Sequence, residues 1–245
     1  MTLSYLYASI ISSFSGLYLF FFMSSVVNFI KKKNIESFKL ALLIFCAFFL
    51  ASGPAYLYYV ENLNNKVILF TLCAFFNYSA ILLYVDIITK RFGIGRWGLT
   101  LLKGCLAGVL GAIFLAVVEC FMGQSGSFYS FDGPTPDNYF LQSVVESIRP
   151  TETTRLISLS GTALTLIANL YLLLQFSRIK LVGIDRLIMA GVAVSFIAKF
   201  NDFLMTSGVG YYLIPLGFLS YFFEIVYFQF NLVTGEDQTS QTSPV

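Results

Sequence analysis

Apolar residues follow one another in long unbroken runs along this chain, and the polar positions gather between them. Seven runs stand out: residues 6–30, 40–60, 67–88, 97–122, 156–176, 187–206 and 212–233. Each is near or above the roughly 20 residues that a helix needs to cross the hydrocarbon core of a bilayer. None alternates apolar and polar positions with period two, as the strand of a membrane barrel would. Inside a bilayer the backbone must satisfy its own hydrogen bonds, so continuous runs of this length predict helices. The expected fold is all-α: a polytopic membrane protein of seven transmembrane helices over residues 1–233, followed by a polar tail, 234–245, expected to be disordered.

The connections set an orientation. Of 15 basic residues, eleven follow helices one, three and five: Lys31, Lys32, Lys33 and Lys39, then Lys90, Arg91, Arg96 and Lys103, then Arg178, Lys180 and Arg186. The other side holds Lys66, Arg149 and Arg155. The positive-inside rule then predicts the N-terminus outside and the C-terminus in the cytoplasm. The start, MTLSYLY, has no basic region ahead of its apolar run, and that run is too long for a signal-peptide core, so the first helix is expected to be retained.

Composition agrees, with 57% hydrophobic and 11% charged residues and a mean hydropathy of +0.78. A soluble domain carries about 25% charge. The net charge of +2 reflects loop asymmetry and gives no footprint for nucleic acid; the basic loops orient the chain and meet anionic headgroups. The chain has no histidine, which removes Ser-His-Asp and Cys-His triads and histidine-ligated metals, and it has no phosphate-binding glycine loop or HExxH motif. Cys46, Cys73, Cys105 and Cys120 all fall within predicted spans, where cysteines act as small apolar residues. Neither a catalytic nor a metal site is predicted, and no cofactor.

The outer connection, 123–152, exceeds the usual 2 to 8 residues between bundle helices. Its second half predicts a short amphipathic helix: Asp137 can cap it, Leu141, Val144, Val145 and Ile148 recur at helical spacing, and Pro150 ends it. Such a helix would anchor in the interface, cover an external pocket or dock a partner.

Polar residues within the spans carry what chemistry there is, since each is costly in lipid. On helix six, Lys199 falls roughly 18 Å from the cytoplasmic start, and Asp202 lies one turn further out on the same face. Glu224 of helix seven falls at a similar depth. Two readings of Lys199, Asp202 and Glu224 stand side by side: an ion cluster fixing helix packing, or a ligand or proton site holding the surplus negative charge. Ser158, Thr162, Thr165 and Asn169 form a polar stripe on helix five, and Asn77 lies near the middle of helix three. These residues, with Asn201, would bond neighbouring helices or line a cavity. Gly104, Gly108 and Gly111 make a close-packing face on helix four for another helix of the bundle or for a second copy in a homo-oligomer. Glu119 is expected to reach headgroup water, and Asp86 to pair with Lys90 at i+4. Retinal chemistry is excluded: the buried lysine lies in helix six, and helix three has no carboxylate at the midplane.

The C-terminal run FNDFLMTSGVGYYLIPLGFLSYFFEIVYFQFNLV resembles the end of the seven-helix sensor regions of bacterial signalling receptors. It has an Asn-Asp pair closing helix six, a Gly-containing turn, a Tyr, Pro-Leu-Gly-Phe and an aromatic last helix. The first third is similar in layout to the seven-helix region preceding histidine kinases, with a Lys-rich inner loop, the outer loop ENLNNK and a third helix ending DIITKRF. Asn201, Asp202, Pro215 and Gly217 match that pattern. Those receptors continue into an output domain, whereas this sequence ends after TGEDQTSQTSPV, so signalling would pass through another protein.

The resemblance implies a non-enzymatic, receptor-like module in the bacterial cytoplasmic (inner) membrane. It would sense a small molecule, a lipid or a periplasmic partner and relay that to a protein in the membrane or cytoplasm. The alternative is an accessory subunit of a larger membrane assembly; a transporter or channel comes third, with no internal repeat behind it.

Overall fold

The computed structural model describes residues 3–60, 62–94, 97–123, 129–130, 149–179, 181 and 185–204. Helices dominate: α1 (Leu3–Lys32), α2 (Ile35–Tyr59), α3 (Leu63–Arg91), α4 (Trp97–Phe121), α5 (Glu152–Phe176) and α6 (Asp185–Leu204). Among the described residues three stretches, Asn64–Arg91, Trp97–Phe121 and Glu152–Phe176, are long and apolar enough to cross a membrane, the mark of a membrane protein. The predicted seventh span, 212–233, the tail and the amphipathic segment of the outer connection lie outside the described residues. The ends of that connection do pair, as β1 (Tyr129–Ser130) and β2 (Arg149–Pro150), antiparallel with Tyr129 opposite Pro150.

The helices start earlier than the apolar runs because capping residues extend them into polar sequence. Asn62 accepts from the backbone N–H of Asn64 at 2.9 Å and opens α3. Thr151 accepts from the N–H of Thr154 and opens α5 four residues ahead of its apolar run. Asn34 accepts from the N–H of Ser37 at 2.7 Å at the head of α2. At the other end of α3, Gly93 has φ +61°, its N–H reaches Lys90 O, and the N–H of Ile94 reaches Thr89 O at 2.8 Å. That double return is a Schellman motif, which ends the helix and turns the chain toward α4. α2 stays helical through Gly53 and Pro54.

Successive helices pack as antiparallel neighbours from α1 to α4; α5 lies on α4 and touches α3, and α6 lies on α5. The shared core gathers Ile44, Val85, Ile88, Leu106, Leu172 and Ile188 from six positions on five helices. Aromatic pairs key the joints: Phe49 on Phe76 at 4.3 Å between α2 and α3, and Phe92 edge-on to Phe176 at 5.0 Å beside the end of α5. Two close approaches depend on glycine. A Cβ on Gly53 would strike Cys73 Sγ, and one on Gly161 would strike the ring of Tyr78, whose hydroxyl donates to Ser158 O at 3.1 Å. Tyr78 thereby clamps α3 to α5. All four cysteines are free thiols, Cys46 and Cys120 buried.

Candidate functional site: a charged end and a polar seam

Two polar regions emerge within the bundle. The first lies where α2 begins, α3 ends and α4 begins. Asp86 accepts from two lysines at once: Lys39 of α2 on Oδ2, and Lys103 of α4 on Oδ1 at 2.7 Å. Lys103 also donates to Thr89 Oγ1 at 2.9 Å, and Thr89 Oγ1 donates to Asp86 O at 3.0 Å. Glu36 accepts from Lys90 at 2.8 Å and stands 4.0 Å from Lys39. The expected Asp86–Lys90 pair within α3 is therefore corrected. Two lysines from flanking helices take both oxygens of Asp86, and Lys90, one turn nearer the helix end, turns to Glu36 of α2. The same end of the bundle holds Arg91 at 3.7 Å from Asp185, which ties α3 to the start of α6.

Lys39 and Lys103 count as loop charges in a topology reading, yet each sits a full turn or more inside its helix. Position alone could have identified Lys103, six residues past the start of α4. Lysine stems lean toward the N-terminal end of their helix, which here is the basic end for both α2 and α4, so the ammonium groups reach back to Asp86 and Thr89.

The second region is the seam between α5 and α6. Asn169 Nδ2 donates to Ser195 Oγ at 3.1 Å, and both residues are buried. Thr165 is buried one turn earlier, its hydroxyl returned to Gly161 O at 2.8 Å. On α6 the buried positions Ile188, Val192 and Ser195 advance by four and three, and the next places on that face are Lys199 and Asp202. Since α5 and α6 are antiparallel with Asn169 opposite Ser195, Thr165 stands level with Lys199 and Thr162 level with Asp202. The polar stripe of one helix and the charged pair of the next thus share one register.

Lys199 is half-buried. The side chains of Asn201 and Asp202, and the whole of Glu224, lie outside the described residues. Along the stripe, Ser158 is exposed and Thr162 half-buried, so burial is complete only at Thr165 and Asn169; Asn77 is half-buried on α3. Ser195 is the partner that the sequence did not single out, though it lies at i−4 from Lys199.

On α4, Gly104, Gly108 and Gly111 are exposed, and a Cβ added at any of them would meet nothing within 4 Å. They lie opposite the buried stripe of Leu102, Leu106, Ile113 and Val117, so among the described residues no helix packs on them. Glu119 is half-buried, and its Oε2 is enclosed without a hydrogen-bond partner among the described residues. The described residues hold no cluster of ligands that could bind a metal ion.

No family model, curated protein or solved structure matches this chain.

Proposed function

We propose that this chain is a seven-helix, receptor-like module of the bacterial cytoplasmic membrane, N-terminus outside, that acts without catalysis. It would sense a small ligand, a lipid or a periplasmic partner and pass a helix displacement to a separate protein. The observation that carries this reading is the α5–α6 seam. A buried hydrogen bond between Asn169 and Ser195 continues, in register, into a level holding Thr165 with Lys199 and Thr162 with Asp202. A ligand entering at that level would meet hydroxyls and charges in an otherwise apolar bundle and would bias how α6 sits on α5. Arg91 with Asp185 at the far end of α6 gives that movement an exit at the basic end of the bundle. The sensor-like ending of the sequence, with its Asn-Asp pair at Asn201 and Asp202, is in keeping with this.

A second reading, an accessory subunit of a membrane assembly, is favoured by one specific feature. The glycine face of α4 is bare among the described residues, as a helix-docking surface would be.

One preparation tests both. The full chain, extracted in a mild detergent, is screened for stabilisation by polar small molecules and by lipids, and its co-purifying proteins are quantified. A sensor purifies alone, gains stability from a ligand and loses that gain in Ser195→Leu. Co-purification of a stoichiometric partner, with no ligand response, sinks the sensor reading and supports the subunit.

A further inference from the structure

At the charged end of α2, α3 and α4 the charges do not cancel. Lys39, Lys90 and Lys103 face Glu36 and Asp86, which leaves a net charge of plus one. Both Asp86 oxygens are already taken by lysines, so the surplus lies on the donor side. An ammonium carries three N–H groups. Lys103 places one on Asp86 and one on Thr89, Lys90 places one on Glu36, and Lys39 places one on Asp86. More donors than acceptors therefore converge within about two turns of three helix ends.

We propose that this end of the bundle binds the phosphate group of an anionic membrane lipid, held by the ammonium groups of Lys39, Lys90 and Lys103. The depth favours lipid over a soluble acidic partner. Lys39 lies four residues inside α2 and Lys103 six inside α4, or roughly 6 to 9 Å along the helix axes. Their stems lean back to the level of the helix ends, where Trp97, 93% exposed, marks the membrane interface. The flanking surface is apolar and open at Ile35, Phe38, Leu42 and Leu101, as acyl chains would require. Lys31, Lys32 and Lys33 are exposed on the adjoining turn and add to the positive potential there. A phosphate at this site would bridge α2, α3 and α4 from outside, with Asp86 holding the lysines apart and aimed. This holds whether or not the chain is a sensor.

The test uses the full chain, stripped of lipid in a neutral detergent. Native mass spectrometry and thermal unfolding then compare phosphatidylglycerol, phosphatidylcholine and inorganic phosphate. The parent protein is expected to retain phosphatidylglycerol about fivefold better than phosphatidylcholine for each surplus charge. Lys90→Gln, at an exposed position that the fold tolerates, should lower that preference about fivefold, and Lys103→Gln at least as much. Asp86→Asn separates lipid binding from a purely structural clamp. It should melt at a lower temperature without lipid yet bind phosphatidylglycerol more strongly, because it removes a negative charge beside the site.

Equal retention of the two lipids, or loss of phosphatidylglycerol binding in Asp86→Asn, overturns the proposal. If millimolar inorganic phosphate stabilises the chain as well as phosphatidylglycerol does, the source is soluble phosphate and the lipid assignment fails. Displacement of bound phosphatidylglycerol by polyglutamate at equal charge would assign the surface to an acidic protein instead.

Discussion

The two polar regions of the bundle solve the same problem in opposite ways. At the charged end, partly exposed lysines and carboxylates from three helices share partners, and each keeps some contact with its surroundings. Within the α5–α6 seam Asn169 and Ser195 are neutral, fully buried and paired with each other. The difference follows depth. A charge near the bilayer centre costs about 2.5 kcal/mol or more, whereas at the helix ends lysine stems carry the charge back to headgroup level. An amide–hydroxyl bond has no such charge to solvate. Lys199 departs from this rule, since it places a charge one turn along the seam from Ser195.

The comparison breaks most easily at Asp86. Asp86→Ala leaves Lys39 and Lys103, each half-buried, facing one another without their common carboxylate. It should cost about 2 to 3 kcal/mol, less than a fully buried pair because water and headgroups screen the remainder. Denaturant titration in detergent measures it. Lys90→Gln, which removes the exposed partner of Glu36, should shift the unfolding midpoint far less than Asp86→Ala does. If the two variants prove equal, the network is a set of independent surface pairs, and its contrast with the seam disappears.

The next largest effect belongs to the joint that brings α5 onto α3. A side chain at Gly161 has no room beside the Tyr78 ring, so Gly161→Val should destabilise by about 1 to 3 kcal/mol through overpacking. Tyr78→Phe keeps the ring and removes the hydroxyl bond to Ser158 O; it should cost under about 1 kcal/mol. An equal loss in both would mean that the hydroxyl, and not the close approach, holds the joint.

These sites differ in how far sequence alone reveals them. Helix positions were legible because continuous apolar runs and basic ends follow directly from the cost of burying backbone and charge. The helix starts were less so, since Asn62 and Thr151 extend α3 and α5 through a local hydrogen bond that hydropathy does not register. The stripe through Thr165 and Asn169 was visible as periodicity, but not its partner: Ser195 looks like any small residue in a span until antiparallel packing sets it opposite Asn169. Asp86 misled for the same reason. Within α3 the i+4 lysine is the natural partner, and only tertiary packing supplies Lys39 and Lys103 at shorter reach. Gly161 gave no sign at all, because its role depends on the ring of Tyr78, which comes from another helix far away in sequence.

The seam makes a smaller prediction with a sharper consequence. Asn169→Leu should cost about 0.6 to 1 kcal/mol, the scale of one hydrogen bond between membrane helices. The same cost should appear in Ser195→Ala, and the double variant should add little beyond either, since both remove one shared bond. Additive losses would show that Asn169 and Ser195 act separately and that the seam is not a coupled unit.

The smallest expected effect decides what lies outside the bundle. Gly108→Ala adds a methyl where no described atom stands within 4 Å, so the isolated chain should change by less than about 0.5 kcal/mol. Gly108→Ile keeps the helix apolar but fills the groove along Gly104 and Gly111. In the isolated protein it too should be nearly silent, which distinguishes this glycine from Gly161, where the same class of change strikes Tyr78. In native membranes the two glycines should diverge differently. If another helix docks on α4, Gly108→Ile removes that association while the folded chain persists, and cross-linking through the exposed Cys105 reports the loss directly. A Gly108→Ile variant that unfolds as Gly161→Val does would place the α4 face inside the bundle and leave no open surface there.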